Sequence, residues 1–188
     1  MKEDKYLWEE FKNGEEYALS HIYHQNIDFL FFFGKKITKD EALILDVIQD
    51  LFYELIRSRE NLGKTDNIRL YLLKSFRRKL IKEIQQKQKK NENDLDIEIQ
   101  PTIVFSVEED LISIEENSRR QELVKQGMKI LNAKQKEVLY YKFTCDFDYK
   151  QISEIMAITN DLARQLVSRA IQTLKKYLSE NDLIDVGV

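Results

Sequence analysis

Residues 149–174 read YKQISEIMAITNDLARQLVSRAIQTL, and this stretch predicts two short helices joined by a tight turn. Asp148 and Thr159 precede the two helices as N-caps, and Ile158 is the apolar residue of the turn. The apolar positions recur at helical spacing in both segments: Ile152, Ile155 and Met156, then Ala163, Leu166, Val167, Ala170, Ile171 and Leu174. The pattern is typical of a helix-turn-helix.

The second of these helices has a polar face that could bond base edges or phosphates. That face carries Asn160, Asp161, Arg164, Gln165, Ser168 and Gln172. An α-helix fits the major groove of duplex DNA, and a helix-turn-helix holds one there. The stretch therefore favours DNA binding, with an ordinary pair of amphipathic helices in an all-α domain as the alternative.

Composition predicts an almost entirely helical protein. The 188 residues include only five glycines and one proline, whereas all-β folds usually need more turn residues. A chain of this length forms one ordinary domain or two small ones. Cys145 is the only cysteine, which excludes an internal disulfide or a multi-cysteine zinc site and indicates a reducing cytoplasm. The charged N-terminus does not resemble a signal peptide, and the apolar run 27–33 is too short to span a membrane.

Charge is segregated along the chain, although the formal net charge is only −3. Residues 68–90 contain nine basic side chains against Glu83 alone, and residues 91–118 contain nine acidic side chains with no Lys or Arg. Such blocks suggest a basic face for a polyanion with an acidic tether beside it.

The N-terminal half predicts three helices. The first runs from Tyr6 to Gly34, with a candidate break near Gly14 and with Gly34 as its C-cap. The second opens at 38–41, which has capping-box spacing, and ends before Gly63. Its expected inward residues are Ala42, Leu45, Ile48, Leu51, Phe52 and Leu55. The third runs from the N-cap Asn67 to about Lys90, with an apolar stripe of Ile68, Leu72, Leu73, Phe76, Leu80 and Ile84.

The rest of the chain predicts a tether and a second helical domain. Pro101 and the acidic block indicate an extended segment, and its β-branched residues suggest that it docks onto a partner. Helices are expected at 114–131 and, capped by Asn132, at 133–143, before the helix-turn-helix. We therefore predict an all-α protein of two small helical domains, 1–92 and 119–182, joined by an acidic linker, 93–118.

Motifs in both halves resemble those of the bacterial RNA polymerase sigma factors of the extracytoplasmic-function group. Asp46–Leu55, DVIQDLFYEL, is similar to the acidic helix of the group's first conserved domain. Leu131–Leu139, LNAKQKEVL, followed by YKQISEI at 149–155 and VSRAIQTL at 167–174, resembles its C-terminal helix-turn-helix domain. The resemblance implies a factor that docks on core RNA polymerase, helps to open DNA at the minus-ten element, and reads the minus-thirty-five element as duplex.

The resemblance implies three sets of binding residues. The acidic stripe at helical spacing would contact the polymerase clamp: Asp46, Gln49, Asp50 and Glu54. The loop at 61–67, which would cradle a flipped base, and the basic helix would bind the minus-ten element: Asn61, Lys64, Asn67, Arg69, Lys74, Arg77 and Arg78. The second helix of the helix-turn-helix would bind the minus-thirty-five element: Asn160, Arg164, Gln165, Ser168 and Arg169.

Three positions depart from the group's usual pattern. Arg78 stands where a small polar residue such as Asn is frequent, which affects the details of base capture. Ser153 replaces a common Ala, and Ala157 stands where Gly often occupies the turn. Ala at a position that requires positive φ costs roughly 1 kcal/mol.

Other functional readings are weaker. Without the resemblance, the acidic stripe would be interpreted as a solvated helix face. A metal site is a weaker alternative, because no second helix of the same kind supplies further carboxylates. Tyr71 and Phe76 fit core positions better than stacking platforms, and the pair His21 and His24 lacks a third metal ligand. Cys145 has no histidine near it in sequence, and no phosphate loop or nucleophile elbow is present.

We therefore expect no metal, no cofactor and no enzymatic activity. The expected partners are core RNA polymerase and promoter DNA, with an anti-sigma factor as a candidate because members of the group are often held by one. The free chain is expected to be a cytoplasmic monomer that does not insert into a membrane. The alternative is a stand-alone helix-turn-helix transcription regulator.

Overall fold

The computed structural model describes residues 2–91 and 118–181, which belong to two compact units. The first contains α1 (Lys2–Asn13), α2 (Glu16–Ile37), α3 (Glu41–Ser58), a 3₁₀ turn (Arg59–Asn61) and α4 (Ile68–Asn91). The second contains α5 (Ser118–Lys129), α6 (Ala133–Leu139), a π-helical turn (Tyr140–Thr144), α7 (Tyr149–Met156) and α8 (Asn160–Glu180). The all-α, two-domain architecture is confirmed. The predicted linker at 93–118 lies, except for Ser118, outside the described residues, so the exact domain boundaries stay predictions.

The core of the first unit lies between α2, α3 and α4, with α1 packed at its side. Five of the six residues of the predicted α4 stripe, all but the half-buried Ile84, are fully buried. Phe33 of α2 meets Phe76 edge to face, with 6.3 Å between ring centroids. The burial of each large apolar side chain stabilises the fold by roughly 1.5–3 kcal/mol, so apolar packing between these helices is the main source of stability of the unit.

The candidate break near Gly14 is confirmed and divides the predicted first helix in two, whereas the expected C-cap at Gly34 was wrong. The chain breaks at Gly14, whose φ of +95° favours glycine, and α2 starts two residues later. Gly34 lies inside α2 and is buried. The helix ends at Ile37, and the C-cap is Thr38, whose backbone N–H donates to the Gly34 carbonyl. Gly34 is instead required for packing, because an added Cβ would lie 2.8 Å from Cγ2 of Ile44.

The start of α3 also differs from the prediction. Asp40, not Thr38, is the N-cap, and its carboxylate accepts from the Leu43 backbone N–H at 3.0 Å. Ala42 and Leu45 are exposed rather than inward. The buried face of α3 is rotated relative to the predicted one. It contains Leu43, Ile44 and Val47 together with the correctly predicted Ile48, Leu51, Phe52 and Leu55.

The caps of the second unit are as predicted. Asn132 and Asp148 each form a complete capping box, with Gln135 and Gln151, and Thr159 accepts from the Leu162 backbone N–H. The helix expected at 133–143 is α-helical only to Leu139 and widens into the π-helical turn. Within the two described stretches, no helix has the length and apolarity needed to cross a membrane.

Candidate nucleic-acid interfaces and an acidic face

The turn between α7 and α8 is closed by an alanine in the left-handed conformation. Ala157 has φ 53° and ψ 47°, and its backbone N–H donates to the Ser153 carbonyl, as does that of Ile158 at 3.0 Å. Thr159 then caps α8. The apolar stripe of α7, Ile152, Ile155 and Met156, is buried with Ala163, Val167 and Ala170 of α8. The predicted helix-turn-helix is therefore present, with α8 packed against α7.

The recognition face of α8 consists of Asn160, Arg164, Gln165, Ser168 and Arg169, and all five are exposed. Arg164 is held at one end of this face, with its guanidinium carbon 5.5 Å from the ring centroid of Tyr149. Lys142 Nζ lies 5.4 Å from the same ring. Both cations gain from the ring quadrupole, but they also bring two like charges to one aromatic side chain. An anion such as a DNA phosphate would neutralise them.

Sequence reasoning missed Lys142 and assigned no role to Tyr149. Tyr149 is the first residue of α7, and Lys142 lies in the π-helical turn, where its Nζ also donates to the Phe147 carbonyl at 3.4 Å. Neither residue belongs to the recognition helix. Their convergence depends on how the preceding helix packs, for which the local sequence carries no signal.

The acidic face of α3 consists of Asp46, Gln49, Asp50 and Glu54, and all four are exposed along one side of the helix. Glu54 forms an ion pair with Lys79 of α4, so its charge is partly compensated. Leu45, Tyr53 and Ile56 beside this face are also exposed, at 51%, 64% and 44%. The face thus combines exposed carboxylates with large apolar side chains at its border.

The basic residues of α4 are distributed between structural contacts and solvent. The Arg69 guanidinium lies 4.9 Å from the Phe29 ring centroid, and Lys87 bonds the Asp40 carboxylate at 2.9 Å. Arg69, Lys74 and Arg78 are exposed, whereas Arg77 is half-buried. The exposed positions give the helix a positive surface suited to phosphate contacts.

The aromatic residues of α4 serve the core, as predicted. Phe76 is fully buried, and Tyr71 is half-buried with its ring 4.9 Å from that of Trp8. Burial raises the pKa of the Tyr71 hydroxyl above its usual value. The Phe76 ring is therefore not available for stacking on an unpaired base.

The loop between α3 and α4 presents Asn61 and Lys64 to solvent but uses Asn67 internally. The Asn67 side chain accepts from the Leu70 backbone N–H at 2.9 Å and so caps α4, as predicted. Two contacts from α1 were not foreseen. Trp8 Nε1 donates to the Gly63 carbonyl at 2.8 Å, and an Asp4 carboxylate oxygen accepts from the Ile68 backbone N–H at 2.9 Å.

The remaining chemically notable side chains form no site in the described parts of the chain. His21 and His24 are both exposed on α2, and Cys145 is half-buried. Across residues 2–91 and 118–181, no cluster of three or more His, Cys, Asp or Glu side chains is arranged to hold a metal ion.

No curated protein matches the sequence, whereas several solved structures have a similar fold. The structure of CnrH in complex with the cytosolic domain of CnrY is 12% identical, with a TM-score of 0.60, over 95% of this chain and 99% of that chain. The structure of the sigma factor RpoE in complex with the anti-sigma factor NepR from Bartonella quintana is 15% identical, with a TM-score of 0.56. The match covers 85% of this chain and 96% of that chain.

Family models match both units. Sigma-70 region 2 matches residues 22–90, which contain the acidic face, the loop and the basic helix, and sigma-70 region 4 matches residues 127–176, which contain the helix-turn-helix. Together the two matched segments cover more than half of the chain. Region 2 comes first, and residues 91–126 separate it from region 4. The chain therefore belongs to the sigma-70 family, as a sigma factor that directs RNA polymerase to promoters.

Proposed function

We propose that the acidic face of α3 is the surface that binds core RNA polymerase. Asp46, Gln49 and Asp50 supply the exposed charge and hydrogen-bonding groups for an Arg-rich partner helix. Glu54 adds a contact at the end of the face, next to its ion pair with Lys79. The observation that supports this proposal most strongly is the exposure of all four side chains on one side of a helix whose other side is fully packed.

We further propose that α4 and the loop before it bind the minus-ten element. Arg69, Lys74, Arg77 and Arg78 would follow the phosphates of the opened strand, while Asn61 and Lys64 would contact a flipped base. Asn67 contributes differently, because its side chain is engaged at the helix cap and so shapes the loop rather than reaching DNA.

The recognition face of α8 is proposed to read the minus-thirty-five element. Gln165, Ser168 and Arg169 are exposed along the helix and suit base edges in the major groove. Arg164 is held beside Lys142 by the Tyr149 ring, so we assign it to backbone phosphate. Asn160, in the first turn of α8, is placed for phosphate as well.

The remaining proposals concern activity, location and regulation. We propose that the chain has no enzymatic activity of its own, acts in the cytoplasm as a monomer when free, and needs no cofactor. An anti-sigma factor is the proposed regulator, since the similar RpoE structure is a complex with one.

The core-binding proposal is tested by Asp50→Arg, which reverses a charge in the middle of the acidic face. Core polymerase pull-down and surface plasmon resonance should show at least a hundredfold loss of affinity, because a like charge now meets the basic partner. Asp28→Arg is the matched control, since Asp28 is also exposed but lies on α2. Equal core affinity for Asp50→Arg and the wild type would rule out the assignment of this face.

The DNA-binding proposal for α8 is tested by Arg164→Ala. Transcription in vitro with core enzyme should fall about tenfold at promoters that need the minus-thirty-five element, while core affinity is unchanged. Lys176→Ala is the control, because Lys176 lies on the same helix outside the recognition face, in contact with Glu180. Wild-type promoter use by Arg164→Ala would remove Arg164 from the interface.

A further inference from the structure

The loop at residues 61–67 is held from outside by α1. Residues 62–67 form neither helix nor strand, so regular backbone pairing does not define their conformation. Three contacts with α1 and the turn after it surround the loop: Arg59 packs beside Gly14 before it, Trp8 bonds Gly63 within it, and Asp4 bonds Ile68 after it. Both hydrogen bonds connect distant parts of the sequence: Trp8 and Gly63 are 55 positions apart, and Asp4 and Ile68 are 64 positions apart.

The Trp8 contact is built into the core rather than lying on the surface. Trp8 is fully buried, and its ring packs at a tilt against two others, with centroids 4.9 Å from Tyr71 of α4 and 5.5 Å from Phe11 of α1. Packing on two sides fixes the orientation of the indole, and therefore the direction of its N–H. The Gly63 carbonyl is thus held by a donor that cannot rotate away, while the Cα of Gly63 faces open space.

The Asp4 contact acts at the other end of the loop. The Ile68 backbone N–H is one of the first donors of α4, which has no partner within the helix itself. Asp4 satisfies it with a carboxylate oxygen, while Asn67 satisfies the N–H of Leu70. Because charge-assisted bonds of this type are short and directional, α1 fixes where the loop ends and α4 begins.

We infer that Trp8 and Asp4 are positioning residues for loop 61–67 and set how well the loop discriminates bases of the minus-ten element. The inference rests on the proposed role of that loop. A pocket that captures a flipped base must hold its contacts to about 0.5 Å, and a loop without regular structure reaches that precision only through supporting contacts. Inside the loop, Thr65 bonds the backbone of Asn67. The contacts at Gly63 and Ile68 come from α1, which lies outside the segment matched by sigma-70 region 2.

The test compares Trp8→Phe with the wild type in complex with core polymerase. Phenylalanine keeps an aromatic ring but removes the N–H donor to Gly63. Open-complex formation is measured on a promoter and on its single-base variants across the minus-ten element. The ratio between the preferred and the disfavoured bases should fall about five- to tenfold, which corresponds to one lost hydrogen bond, while core affinity stays unchanged.

A second pair of variants keeps the test valid if Trp8→Phe folds poorly. Asp4→Ala removes the acceptor for Ile68 and should reduce discrimination to a similar extent. Asp4→Asn retains an acceptor oxygen at the same place and should restore most of it. A general structural defect would instead lower activity equally on all promoter variants, and that pattern would overturn the inference, as would a failure of Asp4→Asn to restore discrimination.

Lys64→Ala and Asn61→Ala, in the loop itself, separate this inference from the proposed function. If they reduce discrimination and both α1 variants do not, the positioning role of α1 is refuted and the role of the loop stands. If the loop variants also leave discrimination unchanged, the loop does not read the minus-ten element, and the proposal for the loop and the inference from α1 are both overturned.

Discussion

Ala157 shows how a single residue can carry a conformational cost at the centre of a functional motif. It terminates α7 with φ 53°, a region where a Cβ is disfavoured, and it does so because the turn must bring α8 across α7. The sequence indicated this cost from the absence of glycine in the turn. The structure shows that the alanine adopts the left-handed conformation rather than changing the turn.

Ala157→Gly is therefore expected to stabilise the second unit by about 0.5–1 kcal/mol, because glycine adopts this φ without steric cost. Chemical denaturation followed by circular dichroism measures the change. Ala42→Gly is the counterpart, since Ala42 is exposed in the first turn of α3 and has no positive φ, and there glycine should destabilise. A destabilised Ala157→Gly would show that the turn is not strained.

Asp40 is a second residue whose local contacts have a measurable consequence. The Leu43 backbone N–H, and then the Lys87 ammonium, lower the pKa of its carboxyl below the usual value. A carboxyl with a depressed pKa in the folded state stabilises the fold above its unfolded pKa, and this contribution is lost as the pH falls through the folded pKa.

Asp40→Asn isolates that contribution, because asparagine is an equally good N-cap but does not titrate. The wild type should be the more stable protein above about pH 4, and its advantage should disappear at lower pH. Urea unfolding at a series of pH values, from neutral to about pH 2, measures the difference. A difference in stability that is independent of pH would contradict the assignment of the charge contacts to Asp40.

At the scale of the elements, the contact between α2 and α3 decided two features that periodicity had misassigned. Gly34 lies within α2 because the helix continues to Ile37, and its missing Cβ admits Ile44 of α3. With Ile44 in the core, Ala42 and Leu45 turn toward solvent. The apolar pattern around residues 42–48 fits more than one helix face, and the neighbouring helix selects between them.

Gly34→Ala should destabilise the first unit by about 1–2 kcal/mol. The new Cβ would lie 2.8 Å from the fully buried Ile44, and this overpacking outweighs the higher helix propensity of alanine. Gly63→Ala is the control, because an added Cβ there meets nothing within 4 Å. Thermal unfolding of both variants measures the effect, and a stabilised Gly34→Ala would show that α2 and α3 can separate without cost.

At the scale of the whole molecule, the proposed binding surfaces lie on separate parts of the chain and differ in charge. The acidic face lies on α3, the positive surface on α4 in the same unit, and the recognition face on α8 in the other. Each of the two proposed DNA surfaces offers only a few contacts. Two weak sites act together only when something fixes both near the promoter, which raises the effective concentration of the second site.

The free chain should therefore bind promoter duplex at least a hundredfold more weakly than the complex with core polymerase, and as a monomer. Fluorescence anisotropy of a labelled promoter, at several salt concentrations, measures both affinities, and analytical ultracentrifugation gives the oligomeric state. Tight duplex binding by a dimer without polymerase, with a steep salt dependence, is the result expected of a stand-alone regulator and would contradict this prediction.

The amino-acid sequence by itself determined the helical class, the three caps of the second unit, the helix-turn-helix and the acidic face, because these depend on residues a few positions apart. Periodicity and capping are local properties, and the family motifs are written in the same short segments. The binding roles assigned to individual residues remain predictions.

Only the tertiary structure decided which contacts between different elements position the loop, the helices and the exposed side chains. The bond from Trp8 to Gly63, the cap that Asp4 provides for α4, the packing of Ile44 on Gly34, and the placing of Lys142 and Arg164 on one tyrosine ring each join different elements. Such contacts depend on how helices pack against one another. Packing depends on the summed shape of many side chains, which no local pattern in the sequence encodes.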